Sequence, residues 1–205
     1  YKKMVKATTG STTTTFGKET LKWGAKWKKV DYFDVFKRET GLDLAKVTDD
    51  ELQAKAKAVG ARPEPNAGRG RLIDLIYKKT VRPGLIQPCF LVDPPVDVEP
   101  LAKRLAKDKT RVARFQIVAA GTELGKGFSE LNDPVDQRKR FEEQERARAA
   151  GDKEAQRLDE DFIEALEYGM PPAAGFGLSE RLFAVLMDKP IRETTLFPLM
   201  KPENK

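Results

Sequence analysis

The longest strongly apolar runs in this chain, Phe115 to Ala120 and Leu182 to Met187, are six residues each. A membrane-spanning helix needs about twenty, so the core has to be gathered from short strands and from single faces of amphipathic helices. With 205 residues, 40% hydrophobic and 34% charged, there is enough apolar surface for one ordinary domain or two small ones. The first fifteen residues, lysines and threonines around no apolar stretch, do not read as a signal peptide. A single cysteine, Cys89, allows no internal disulfide, which points to a reducing compartment and a cytoplasmic location.

Histidine is absent altogether. That excludes a Ser-His-Asp triad, a Cys-His pair, a histidine-held zinc and any imidazole acid or base. Chemistry must come from carboxylates, lysine, arginine, backbone amides or a metal held by oxygens. The net charge of +6 is concentrated at the start. Residues 1–30 carry eight lysines against Glu19, leaving the other 175 residues at −1.

The opening residues, Tyr1 to Lys6, read as the last turns of a helix. Alternating β-branched residues at 12–16, with Gly17 and Gly24, predict a hairpin within 8–28. Helical patterns follow over 31–40, stopped by Gly41, and over 48–59, capped by Thr48 or Asp49 and stopped by Gly60. With Leu72, Leu75 and Ile76, residues 31–82 form a small helical cluster. From Leu85 the texture changes to strands at 85–92 and 115–120, then a glycine-rich bend and a third strand over 127–131. Asp133-Pro134 starts a helix reaching about Ala149. Its thin apolar content and the Arg138–Glu142 and Glu142–Arg146 spacings suggest a largely solvated helix. A second helix spans 159–168, and 181–187 reads as a buried one. The sum is an α+β chain with a largely antiparallel sheet.

Three constellations could carry chemistry. In Gly121-Thr-Glu-Leu-Gly-Lys-Gly-Phe-Ser-Glu130, Glu123 and Glu130 are seven apart and would face opposite sides of a regular strand. A bulge or turn supplied by Gly125 and Gly127 would bring both to one side, where two carboxylates suit magnesium; the alternative is a turn with solvated glutamates. In Ala174-Gly-Phe-Gly-Leu-Ser-Glu-Arg181, glycines before an arginine at a helix start suggest a phosphate platform or merely a tight strand-to-helix joint. In Lys22-Trp-Gly-Ala-Lys-Trp-Lys-Lys29, cations alternate with aromatics as in a nucleic-acid stripe, but tryptophans packed on the core with solvated lysines is the preferred reading.

Taken together, Ser129-Glu-Leu-Asn-Asp-Pro134, the QRKRFEEQ run over 137–144, Leu166-Glu-Tyr-Gly-Met-Pro-Pro172, the glycines before Arg181 and Leu196-Phe-Pro-Leu-Met-Lys-Pro202 resemble the class II lysyl-tRNA synthetases. Ile86-Gln-Pro88 and Pro100-Leu-Ala-Lys103 extend the likeness, which is specific from about Ile86 and looser before it. The resemblance implies an incomplete class II antiparallel sheet flanked by helices, with 31–82 as a helical insertion and 85–205 holding the sheet and site. It implies activation of lysine with ATP and Mg2+, transfer to tRNA(Lys), and a homodimeric parent with no membrane contact.

Position by position, the resemblance assigns Glu123 and Glu130 to magnesium, with Glu123 also toward ATP and Glu130 also facing the lysine amine. Phe128 and Lys126 line the lysine pocket, and Gly175 and Gly177 let ATP approach. Arg181 is the catalytic arginine on the ATP phosphates. Two features depart from the family: Lys126 stands where asparagine is usual, and the glycines fall one place out of register with Arg181. The family's anticodon barrel and first two signatures have no counterpart in the sequence, so the chain reads as the C-terminal part of a catalytic domain, inactive alone. The competing readings are a synthetase-like enzyme that attaches lysine to a protein such as an elongation factor, and a non-catalytic RNA-binding module using the leading lysines.

Overall fold

The computed structural model describes residues 1–64, 66–152 and 155–198. A first helix, α1 (Lys2–Thr9), ends at Gly10 in the left-handed conformation, and a hairpin of β1 (Thr13–Phe16) and β2 (Glu19–Lys22) follows. Strand β3 (Lys28–Asp31) leads into α2 (Tyr32–Thr40), where the Asp31 carboxylate accepts from the Asp34 N–H and caps the helix. Helix α3 (Asp49–Ala58) begins with a reciprocal capping box between Thr48 and Glu51, two orphan donors satisfied at once. Helix α4 (Arg69–Ile76) widens into one π turn over Tyr77–Val81 and stops at a 3-10 turn containing Pro83.

The remaining elements build the sheet and its cover. They are β4 (Cys89–Val92), a 3-10 turn at Val96–Val98, β5 (Arg114–Ala119), β6 (Thr122–Ser129), α5 (Pro134–Ala149), α6 (Glu160–Glu167), β7 (Ala174–Leu178) and α7 (Arg181–Met187). The five strands lie in the order β3-β4-β5-β6-β7, antiparallel except for the β3–β4 pair. The α+β class and the antiparallel character therefore hold.

Alternation along the strands separates two cores. Tyr32, Phe36, Leu52, Leu72, Ile73 and Ile76 of the helical cluster pack with Leu91 and Val118 of the sheet. Ile117, Ala119 and Leu124 pack with Val5, Leu21 and Trp23 from the leading segment and with Leu182 and Val185 of α7.

Two expectations are corrected. The glycine-rich stretch 121–127 is not a bend before a strand at 127; the turn is confined to Ala120 and Gly121, both at positive φ, and the glycines lie within β6. Helix α5 is not simply solvated. Gln137 is fully buried and donates to the Pro100 carbonyl, while Arg140, 3% exposed, donates to the Ala102 carbonyl and to Asp136. Arg138 pairs with Glu160 of α6 through both guanidinium nitrogens, in place of the expected Glu142 contact. The helix docks through polar side chains, which is why an apolar count missed it. The end of the expected Leu196–Pro202 motif, residues 199–202, lies outside the described residues.

Gly70 joins the helical cluster to the sheet. A Cβ there would overlap the backbone carbonyl of Asp97 in the 3-10 turn. Backbone cannot swing aside as a side chain can, so Gly70→Ala should push α4 off this turn at a cost of about 1–3 kcal/mol, the usual range for overpacking. A urea midpoint lowered accordingly, against an unchanged midpoint for the exposed control Lys57→Ala, is the expected measurement.

Candidate active site

The site is built on one face of β6. Pairing with β5 places Gln116 opposite Lys126 and Val118 opposite Glu123, with a register shift that leaves Leu124 as an extra residue. The bulge moves Glu123 onto the face that carries Lys126, Phe128 and Glu130. It is pinned from two sides, since the Leu124 carbonyl accepts the Tyr1 hydroxyl at 2.6 Å and the Ser179 N–H at 3.0 Å. Burial pushes the Tyr1 hydroxyl up to about 12, so it remains a donor at neutral pH.

Glu123, Lys126, Phe128, Glu130, Gly175 and Gly177 all line one groove of about 350 Å3. Beyond Glu123 and Lys126 the groove meets a second cavity of about 520 Å3, whose wall includes Tyr32, Tyr77, Arg114 and Gln116. Glu123 accepts a short hydrogen bond from the buried Gln116 amide. Glu99, 7% exposed, accepts from Lys126 at 3.0 Å through the same oxygen that lies 3.3 Å from Nε of Arg114. The Lys126 ammonium also stands 5.7 Å from the centre of the Phe128 ring. Burial, and then the neighbouring Glu99 charge, raise the Glu130 carboxyl above the ordinary glutamate range.

The two glutamates share a face but not a position. Glu123 is near one end of β6 and Glu130 just past the other. At about 3.4 Å per residue their Cα atoms are on the order of 20 Å apart. Their carboxylates turn toward each other along β6: that of Glu123 reaches Gln116, the partner of Lys126, and that of Glu130 reaches Gly175, the partner of Phe128. Both line the one groove. Among the described residues, no group of three or more acidic, Cys or His side chains is placed to hold a metal.

The glycines divide similarly. A Cβ on Gly175 would come to 2.7 Å from Oε1 of Glu130, whereas one on Gly177 would meet nothing closer than the Lys126 carbonyl at 3.9 Å. Gly175 thus accommodates the Glu130 carboxylate, and Gly177 leaves the groove floor open. Arg181 opens α7 with an exposed side chain and does not line the groove, although Ser179, two residues earlier, does. The sequence reading missed Gln116, Glu99 and Arg114. Alternation around Phe115 would have put Arg114 and Gln116 on the polar face of β5; nothing in the spacing marks Glu99. The tryptophan stripe is structural at its first aromatic: Trp23 is fully buried and donates to Thr14, and Trp27 donates to the Trp23 carbonyl.

The groove runs along one face of an antiparallel strand and is bordered by a glycine strand that leads into a helix starting with arginine. The family model described as class II tRNA synthetases (D, K and N) matches residues 1–201, and the chain belongs to that family. It is 44% identical over 199 residues to the lysine–tRNA ligase of Moorella thermoacetica, covering 96% of this chain and 41% of that protein. It is 43% identical to the lysine–tRNA ligase of Roseiflexus castenholzii, covering 98% and 42%. A third, from Carboxydothermus hydrogenoformans, is 45% identical over 87% of this chain and 37% of its own length. The chain therefore spans about two fifths of the length of the relatives it matches.

The Gly175–Glu130 contact yields a test. A methyl group at 175 displaces only the far end of a flexible side chain, so Gly175→Ala should leave the unfolding midpoint nearly unchanged. In a full-length ligase carrying this segment it should raise KM for lysine by roughly tenfold, since a displacement of about 1 Å can cost up to 10²-fold. Gly177→Ala should spare KM for lysine.

Proposed function

We propose that this chain supplies the amino-acid end of the active site in a lysine–tRNA ligase, which converts lysine and ATP to lysyl-adenylate with release of pyrophosphate and then passes the lysyl group to tRNA(Lys) with release of AMP. The observation that carries the reading is the order along β6: a carboxylate at one end, an aromatic ring, a cation, then a second carboxylate. Glu130, set into the space that Gly175 leaves, faces the substrate ammonium. Phe128 lies beside the four methylenes, a surface that an apolar stem covers favourably. Glu123 lies at the far end, where the nucleotide phosphates come, with Gln116 holding one of its oxygens in place.

Magnesium fits this set at Glu123. It commonly takes one or two carboxylates and fills its remaining positions with phosphate oxygens and water, and Glu123 with ATP meets that pattern. When bound, the ion neutralises charge on the phosphates. The chain's own residues bind and orient: the lysine carboxylate must be directed at the α-phosphate while its ammonium is held away. No side chain is needed to move a proton in that attack, which is consistent with a chain lacking histidine. Gly177 and Arg181 serve the nucleotide, the glycine by leaving space and the arginine by pairing with phosphate. A cytoplasmic homodimer is the corresponding assembly.

Glu130→Gln keeps the shape and removes the charge. A hydrogen bond to a charged group is worth about 1.5–3 kcal/mol, so lysine-dependent ATP–pyrophosphate exchange by the full-length ligase should lose on the order of 10- to 100-fold in kcat/KM. The unfolding midpoint should hold. Unchanged exchange with unchanged lysine dependence would remove this role. The acid limb of lysine binding should also lie above the pH of an ordinary glutamate. The Glu130 carboxyl is raised, so it protonates early as pH falls and releases the ammonium it holds. Substituting glutamine should abolish that limb in KM for lysine.

A further inference from the structure

Lys126 is poorly explained as a surface lysine. Its side chain is 38% exposed and its ammonium is held 3.0 Å from a glutamate that is itself 7% exposed. Glu99 in turn is fixed from behind. Arg114, 9% exposed, lies 3.3 Å from the same oxygen, and α4 presses on the turn just before Glu99 through Gly70. Burying a carboxylate is costly unless it is paired; Arg114 supplies a charge at 3.3 Å without a hydrogen bond from its Nε, and Lys126 supplies the hydrogen bond. Of the two cations, Lys126 is the one that lines the groove with Phe128 and Glu130. From Lys126 the same face runs through Phe128 to Glu130, so positive and negative ends flank an aromatic ring.

We infer that Glu99 is a positioning residue that holds the Lys126 ammonium as the anchor for the substrate's carboxylate, so that a zwitterionic amino acid lies along β6 in one direction only. The inference rests on the proposed role of Glu130 and extends it. The ammonium of the substrate meets Glu130, its methylenes lie on Phe128, and its carboxylate meets Lys126 on the side toward Glu123. A reversed lysine would bring ammonium to ammonium and carboxylate to carboxylate, a doubly repulsive arrangement. Lys126 has three donor hydrogens, so the bond to Glu99 leaves others for the substrate. The groove thereby discriminates by polarity as well as by length.

Cadaverine, which is lysine without its carboxylate, separates the two ends as a competitive inhibitor of lysine-dependent pyrophosphate exchange in a full-length ligase carrying this segment. Lys126→Met should raise KM for lysine about tenfold, while the inhibition constant of cadaverine stays level or falls, because a like charge has gone. Lys126→Arg should restore most of the lysine affinity. Glu99→Gln should weaken lysine but not cadaverine, and in the background of Lys126→Met it should add no further loss, as expected for a residue that acts through another. General damage to the site would weaken both ligands together. Glu130→Gln must weaken both; if it weakens neither, the reading of the amino-acid end fails. If Glu130→Gln weakens both but Lys126→Met leaves lysine unaffected, or weakens lysine and cadaverine alike, the anchor is overturned and the reading of Glu130 stands.

Discussion

One extra residue in β6 decides which side chains this protein can use. A strand alternates with period two, so a seven-residue interval sends its ends to opposite faces. Leu124, inserted against β5, resets the phase between Glu123 and Lys126. Without it, Glu123 would point into the apolar layer with Ile117 and Ala119. The bulge is costly in ladder hydrogen bonds, and the fold compensates. The extra leucine is fully buried against the leading segment and α7, and its carbonyl accepts from both Tyr1 and Ser179. α1 and the β7–α7 joint, remote from β5 in sequence, thus meet on this one peptide group.

On the other face the organising problem is charge. Arg114, Gln116, Glu99 and Arg140 are all below a tenth exposed, and a buried charge is tolerable only when partnered. The partners of Glu99 come from different elements, Arg114 from β5 and Lys126 from β6, while Arg140 pairs with Asp136 within α5. The segment 99–104 is where these contacts converge. Gln137 and Arg140 grip its carbonyls from one side and Lys126 and Arg114 hold its carboxylate from the other. This explains how a helix with scarcely any apolar face is part of the architecture. Besides the ring of Phe141, which packs on Phe162, its buried side chains are an amide and a guanidinium, positioned by hydrogen bonds that define a geometry more narrowly than apolar packing does.

Much of the chain was readable because local chemistry and tertiary structure agree. The Asp31, Thr48, Asp133 and Asp159 caps begin the helices where the sequence places them, and Gly41 ends the first of these in the left-handed conformation. A bulge that brings Glu123 and Glu130 to one face was expected from the sequence, although at Gly125 or Gly127 and not at Leu124, where it lies. What was not legible depended on distance in three dimensions. Glycines suggested a bend over 121–127, yet neighbouring strands on both sides hold them extended. Spacing put two glutamates on one face but gave no separation between their carboxylates. Glu99 carries no local signature, since its importance lies in Arg114 and Lys126, 15 and 27 residues away.

The two ends of the groove differ in how completely this chain builds them. The end proposed for the amino acid is assembled from β6 and its packed neighbours, with Glu130 backed by Gly175 and Lys126 by Glu99. Along its whole length the groove is bordered by β7, the last strand in the sheet order, where Phe176 and Leu178 are more than half exposed; past its end Arg181 extends into solvent. An edge strand presents unpaired backbone groups, and apolar side chains beside them make it a favourable place for further chain to pair. A phosphate bound there would have Arg181 on one side and solvent on the other, and solvent screens such a pair to a small fraction of its strength in a closed site. If a nucleotide binds at this end as proposed, a neighbour covering the edge would strengthen its contact with Arg181, whereas the end proposed for the amino acid depends on the buried charges beneath β6.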